Sequence, residues 1–186
     1  MSAIVVNLFG VPGAGKSTGA AYIFYRLKTS GINAELVTEF AKDKVWGQSR
    51  EVFNNQAYIF GEQSFRLGRC ADKVDVIVTD SPLPLSIIYN EDRRLTENFN
   101  AMVMDVFNSY NNLNYFLTRT KPYNPFGRKQ TEAESNALSD PICKMLEKYD
   151  ISYETLNGDV EGYEKIVCDI ISKLKGNTYE NHSKSR

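Results

Sequence analysis

Gly10-Val11-Pro12-Gly13-Ala14-Gly15-Lys16-Ser17 fits the spacing G-x-x-x-x-G-K-[ST], and it constrains the fold more than any other stretch of the 186-residue chain. Before it, Ala3 to Phe9 is an almost unbroken apolar run that reads as a buried strand. After it, Thr18 to Thr29 reads as a helix with Ala20, Ile23, Phe24 and Leu27 on one face. Glycines let the backbone of such a loop curl until several N–H groups converge on an anion. The positive end of the following helix faces the same point. Lys16 can reach the β- and γ-phosphates of a nucleotide, and the Ser17 hydroxyl can ligate Mg²⁺. Gly10, Pro12, Gly13, Ala14, Gly15, Lys16, Ser17 and Thr18 are therefore the candidate nucleotide-binding residues. The alternative is a chance glycine-rich turn before a helix.

The rest of the chain alternates strand and helix signals. Asn33 to Thr38 reads as a second strand, Val45 to Lys73 as a mostly helical stretch with a break near Gly47 to Ser49, and Val74 to Thr79 as a third strand. Pro82 and Pro84 force a turn, followed by a short helix to Tyr89. Glu91 to Tyr110 reads as a helix, Leu113 to Leu117 as a fourth strand, Thr131 to Tyr149 as a helix and Ile151 to Leu156 as a fifth strand. A last helix carries Ile166, Val167, Ile170, Ile171 and Leu174, and the polar stretch from Gly176 to Arg186 reads as a disordered tail. One α/β domain over residues 1–175, with a parallel sheet and right-handed crossovers, satisfies this order.

Composition narrows the function classes. A net charge of −1 gives no global field toward nucleic acid or membrane, although a local basic groove remains compatible with it. Cys70, Cys143 and Cys168 are widely spaced and the one histidine, His182, lies in the polar tail, so neither a zinc site nor a disulfide framework is expected. Reduced thiols and no visible signal peptide point to the cytoplasm, and no apolar run approaches the ~20 residues of a membrane span.

In parallel α/β sheets, ligands sit beyond the carboxyl ends of the strands. The polar candidates fall at those ends. Asp80 closes the third strand, where a carboxylate can hold Mg²⁺ directly or through water, or can simply shape the turn before Pro82. Glu39 closes the second strand and could accept a proton from an attacking hydroxyl, orient an acceptor, or favour a helix start. Gln63, Arg66 and Arg69 lie one helical turn apart. They suit a base edge and a phosphate, or form a solvated face. The loop from Arg119 to Gln130 carries Arg119, Lys121, Arg128 and Lys129 with no acid, and reads as a lid or as a basic surface loop. Trp46, Tyr89 and Tyr123 could stack on a base or serve packing. Asn157-Gly158-Asp159 could wrap an adenine or form a turn.

Taken together, Gly10 to Ser17, Thr38 to Lys42, Val76 to Pro82 and the Arg119–Arg128 loop resemble the small P-loop kinases, a group that includes nucleoside, nucleoside-monophosphate and polynucleotide kinases. The likeness is to AAA-domain P-loop kinases commonly carried by bacteriophages, among them the 5-hydroxymethyluracil DNA kinases. It spans roughly residues 3–174. Thymidylate kinases carry an Asp-Arg pair where this chain has Glu39-Phe40, and deoxynucleoside kinases carry Glu-Arg-Ser where it has Asp80-Ser81-Pro82. The resemblance implies a three-layer P-loop NTPase fold with strand order 2-3-1-4-5, ATP as donor, Mg²⁺, and a lid over the phosphates. It also implies catalytic roles for Lys16, Glu39, Asp80, Arg119 and Arg128 and metal binding by Ser17 and Asp80, while the residues' own chemistry and spacing make Glu39, Gln63, Arg66 and Arg69 the candidate acceptor-binding set. The expected activity is phosphoryl transfer to a nucleoside, a nucleoside monophosphate or a hydroxymethylated pyrimidine in DNA. The other class is a P-loop ATPase or switch acting on a protein partner. Oligomeric state is left open.

Overall fold

The structure, a computed structural model, describes residues 3–42, 52, 55–126 and 130–183, the last seven as helix backbone. Its elements are β1 (Ile4–Phe9), α1 (Lys16–Thr29), β2 (Ala34–Val37), α2 (Gln56–Gly68), β3 (Val76–Thr79), α3 (Leu85–Ile88), α4 (Glu97–Asn108), β4 (Asn111–Thr118), α5 (Glu132–Ala137), α6 (Ser139–Lys148), β5 (Glu154–Asn157) and α7 (Val160–Ser183). The five strands form one parallel sheet in the order β2-β3-β1-β4-β5, as the resemblance implies. β1 is central, fully buried, and hydrogen-bonded to β3 on one side and β4 on the other.

Side-chain alternation along the strands builds two cores. Ile4, Val6 and Leu8 point with Val76, Val78, Tyr115 and Leu117 to the face covered by α1 and α7. Ala20, Ile23 and Leu27 of α1 meet Tyr163, Ile166, Val167 and Ile170 of α7 there. Val5 and Phe9 point with Val37, Ile77 and Phe116 to the opposite face. That face is covered by Phe60 and Leu67 of α2, Phe99, Val103 and Phe107 of α4, and Ile142, Met145 and Leu146 of α6. Helices on both faces make the three layers expected for an all-parallel sheet.

Several boundaries differ from the sequence reading. The expected helix from Glu91 starts only at Glu97, because Asn90 and Asp92 turn the preceding chain: their side chains accept from Asp92 N–H and Arg94 N–H, both at 3.0 Å. The expected helix from Thr131 to Tyr149 divides at Leu138 into α5 and α6. Pro141 has no N–H to offer the Ala137 carbonyl, so the ladder is interrupted there. α5 opens on a full capping box between Thr131 and Glu134. β5 runs from Glu154, three residues later than the apolar run at Ile151 suggests. α7 continues through Gly176 to Ser183, where a disordered tail is expected. The break expected near Gly47 to Ser49 lies outside the described residues.

One polar residue interrupts the apolar centre of β1. Asn7 is 1% exposed, and its Nδ2 donates to Asn112 Oδ1 and Asn114 Oδ1, both at 2.9 Å. Asn112 in turn donates to the Phe107 carbonyl at the end of α4, and Asn114 to the Ser152 carbonyl before β5. This network ties β1, β4 and two connections together within the sheet. Asn7→Leu leaves two amide oxygens without their donor and is expected to cost about 1–3 kcal/mol. Urea unfolding checks it: the midpoint should fall with an unchanged m-value, and an unchanged midpoint would show that the network contributes nothing.

Candidate nucleotide and acceptor site

The phosphate loop forms where β1 leaves the sheet. Gly10, Gly13 and Gly15 all take positive φ. Gly15 (φ 92°) is the residue before α1, and a side chain there would also collide with the Tyr163 hydroxyl, so both backbone and space require glycine. α1 begins at Lys16 with no acidic residue in its first turn, which leaves its positive end to an anion. The Lys16 ammonium bridges the loop, donating to the carbonyls of Gly10 at 2.7 Å and Val11 at 3.0 Å.

The loop rests on a support built by the end of the chain. Tyr163, 3% exposed, directs its hydroxyl at the Gly15 carbonyl (3.0 Å) and the Gly158 carbonyl (2.9 Å). The Gly158 N–H donates to the Thr118 carbonyl at 2.9 Å, and a Cβ at Gly158 would collide with the Ala14 carbonyl oxygen. The Asn157-Gly158-Asp159 turn is thus a floor for the phosphate loop. Sequence reasoning did not single out Tyr163, because one tyrosine in the first turn of a helix looks like ordinary packing.

Beyond the loop lies a cavity of about 390 Å³. Pro12, Gly13, Gly15, Lys16, Ser17 and Thr18 line it, so the structure brings these six together, while Gly10 and Ala14 do not line it. Glu39 and Asp80 enter the same cavity from the ends of β2 and β3. Asp80 is 3% exposed, and its Oδ1 accepts the Glu39 N–H at 3.0 Å. Glu39 and Asp80 thus meet through backbone as well as through the cavity. Gln56, Ile59 and Gln63 of α2 form a wall, Leu85, Ser86 and Tyr89 another, and Phe126 and Gln130 reach in from the basic loop. Burial, helped by the Glu39 charge, pushes the Tyr89 phenol up to about 12, so it faces the cavity as a neutral hydroxyl.

The cationic candidates behave differently from expectation. Arg66 does not line the cavity; its guanidinium lies 4.9 Å over the Phe40 ring. Arg69 caps the far end of α2, about 20 Å along the helix axis from Gln56 at 1.5 Å per residue, and is exposed. Neither lines the cavity. Arg119 does not line the cavity either. Its Nη2 donates to the Pro12 carbonyl at 3.1 Å and to Ser135 Oγ at 2.7 Å, Nη1 pairs with Glu132 at 3.2 Å, and the guanidinium stacks on Tyr123 at 5.0 Å. It clamps the phosphate loop to α5, because it binds Pro12 of the loop and Glu132 and Ser135 of α5 at once. Arg128 and Trp46 lie outside the described residues.

The donor set fits a metal–nucleotide pair. Positive-φ glycines and a bare helix start suit phosphate oxygens, and a hydroxyl (Ser17) and a buried carboxylate (Asp80) on one cavity suit Mg²⁺, a hard cation that prefers oxygen. No helix among the described residues is long and apolar enough to cross a membrane, and no cluster of His, Cys, Asp and Glu among them is dense enough for a separate metal site.

Comparison with known proteins agrees with this architecture. A solved structure of deoxyadenosine kinase from M. mycoides, with the products dCMP and a flexible dCDP bound, is 17% identical and superposes with a TM-score of 0.52 over 92% of this chain and 99% of that one. Thymidylate kinase from Ehrlichia chaffeensis is 14% identical, with a TM-score of 0.59 over 94% and 100% of the two chains. At these identities the likeness is one of fold. No curated protein sequence is significantly similar. A family model described as AAA domain matches residues 5–162, from β1 to the first turn of α7, and on that match the chain belongs to this AAA domain family, built on a P-loop kinase fold.

Proposed function

We propose that the chain is a Mg²⁺-dependent kinase that transfers the γ-phosphoryl group of ATP to a nucleotide-type acceptor. The acceptor is a nucleoside, a nucleoside monophosphate, or a hydroxymethylated pyrimidine in DNA such as 5-hydroxymethyluracil. The observation that carries this reading is the single cavity that joins the phosphate loop to Glu39 and Asp80 and extends past them between α2 and α3. A hydrolytic switch needs room only for a water, and the extension of the cavity past Glu39 and Asp80 supports a second organic molecule there instead.

Each residue then has a task. Lys16 and the loop N–H groups hold the β- and γ-phosphates, where the transferring group spreads its charge. Ser17 and Asp80 would hold Mg²⁺, which would neutralise charge on the phosphates. Glu39 takes the proton of an attacking hydroxyl or orients the acceptor. Neutral hydroxyls and amides from Tyr89, Ser86 and Gln56 offer hydrogen bonds to the acceptor. The 119–130 loop, with Phe126 and Gln130 at the cavity, covers the reaction, and Arg128 is its candidate for the transferring group. Three free thiols suit a reducing compartment such as the cytoplasm.

The direct test is transfer of labelled γ-phosphate from ATP to a panel of free nucleosides, nucleoside monophosphates, 5′-hydroxyl oligonucleotides and DNA bearing hydroxymethylated pyrimidines, with Lys16→Ala as control. Label on one acceptor, lost in the control, is the expected result. Label only in inorganic phosphate would replace the kinase with an ATPase acting on a protein partner. With the acceptor in hand, Glu39→Gln is expected to lower kcat by ~10² or more, and near-full activity would remove Glu39 from the chemistry. Tyr163→Phe removes the hydroxyl under Gly15 while keeping the ring. It should weaken ATP binding by roughly tenfold, about the worth of one buried hydrogen bond, with little change in acceptor KM. Unchanged ATP affinity would mean that the loop holds its shape without Tyr163.

A further inference from the structure

The type and helical position of Gln63 suggest a reader of the acceptor base, but the fold commits its amide elsewhere. Gln63 is 3% exposed. Its Oε1 accepts the Phe40 N–H at 3.0 Å, and its Nε2 donates to the Thr38 carbonyl at 3.4 Å. The Thr38 carbonyl and the Glu39 N–H belong to one peptide unit, and the Phe40 N–H belongs to the next. These are the two peptide units that flank the Glu39 Cα. The Glu39 N–H is itself held by Asp80 Oδ1 at 3.0 Å. Both backbone dihedrals of Glu39 are therefore set by two buried side chains, one on α2 and one at the end of β3. The Phe40 ring adds a third hold, between the Arg66 guanidinium at 4.9 Å and the Tyr58 ring at 5.5 Å, edge-on at 80°. All but Asp80 come from α2.

We propose that Gln63 is a positioning residue for the transfer reaction: by clamping the peptide units on both sides of Glu39, it aims the Glu39 carboxylate into the acceptor end of the cavity. This rests on the role given to Glu39 above. An amide is suited to the task because it supplies one acceptor and one donor from a single rigid plane. Glutamate in the same shape keeps the acceptor for Phe40 N–H but sets a second oxygen against the Thr38 carbonyl, unless its carboxyl is protonated. Leucine supplies neither. A carboxylate aimed wrongly by about 1 Å loses most of its use as a base or orienting group.

The test is a double-mutant cycle in kcat and acceptor KM for the full chain with Glu39→Gln, Gln63→Leu and both, using the acceptor identified by the transfer panel. Gln63→Leu is expected to lower kcat by about 10- to 100-fold with acceptor KM and ATP affinity little changed. In the Glu39→Gln background the same substitution should cost nothing further, because the group it aims is no longer a carboxylate. A rise in acceptor KM with kcat retained would make Gln63 a reader of the acceptor and overturn the proposal. So would an equal loss in both backgrounds. Full activity of Glu39→Gln alone would overturn the Glu39 assignment as well, which separates the two failures. Should Gln63→Leu fail to fold, Gln63→Glu decides: its kcat relative to the unsubstituted protein should rise as pH falls and the new carboxyl takes a proton, and a flat ratio would overturn the proposal.

Discussion

Everything in this protein hangs on β1 being held from both sides. A central parallel strand, hydrogen-bonded to β3 and β4 and buried on both faces, has no freedom to shift register without moving six side chains to the wrong core. The loop that follows is therefore launched from a fixed point and in a fixed direction. α1 returns the chain across the sheet and presents its uncapped amino end beside that point. The phosphate-binding geometry is a consequence of strand pairing before it is a property of the glycines.

The glycines nevertheless carry a cost that the rest of the chain meets. Three positive-φ residues in one short loop make a flexible segment, and flexibility is unfavourable where amides must converge. Two clamps remove it. From one side come Tyr163 and Gly158, which close against Gly15 and Ala14. From the other come Arg119 and Ser135, which both donate to the Pro12 carbonyl. Both clamps come from the carboxyl-terminal half of the chain. The loop near residue 10 is thus shaped by residues more than a hundred positions away, and the segment that follows β4 is joined to it through Arg119.

A second rigid corner lies where β2 and β3 end. Parallel neighbours finish at the same level, so Glu39 and Asp80 arrive side by side. One backbone hydrogen bond then joins them, and α2 lays Gln63 and Arg66 across the corner. The cavity lies between this corner and the phosphate loop. The walls that α2 and α3 give it are made of neutral groups, whereas the helical row Gln63, Arg66, Arg69 reads as a charged face in one dimension. Spacing along a helix says which residues are neighbours, and packing says which way they look. Here α2 turns Gln63 inward to the β2 exit, Arg66 onto Phe40, and Arg69 to solvent.

The residues alone determined the phosphate loop, the alternation of strands and helices, the parallel sheet, and the placement of Glu39 and Asp80 at strand ends. Local pattern encodes these: glycine spacing, apolar runs and the two periodicities act within a dozen residues. Strand order followed from resemblance to a family, since nothing local in the chain says which strands pair. Tertiary structure alone decided the tasks of the side chains. Arg119 was legible as a cation in an acid-free loop but not as a clamp on Pro12, because Ser135 and Pro12 meet it only in the folded chain. Gln63 was legible as an amide on a helix but not as the brace of Glu39. Tyr163 carried no signal at all, because a hydroxyl beneath a glycine carbonyl exists only after β1, β4, β5 and α7 have been brought together.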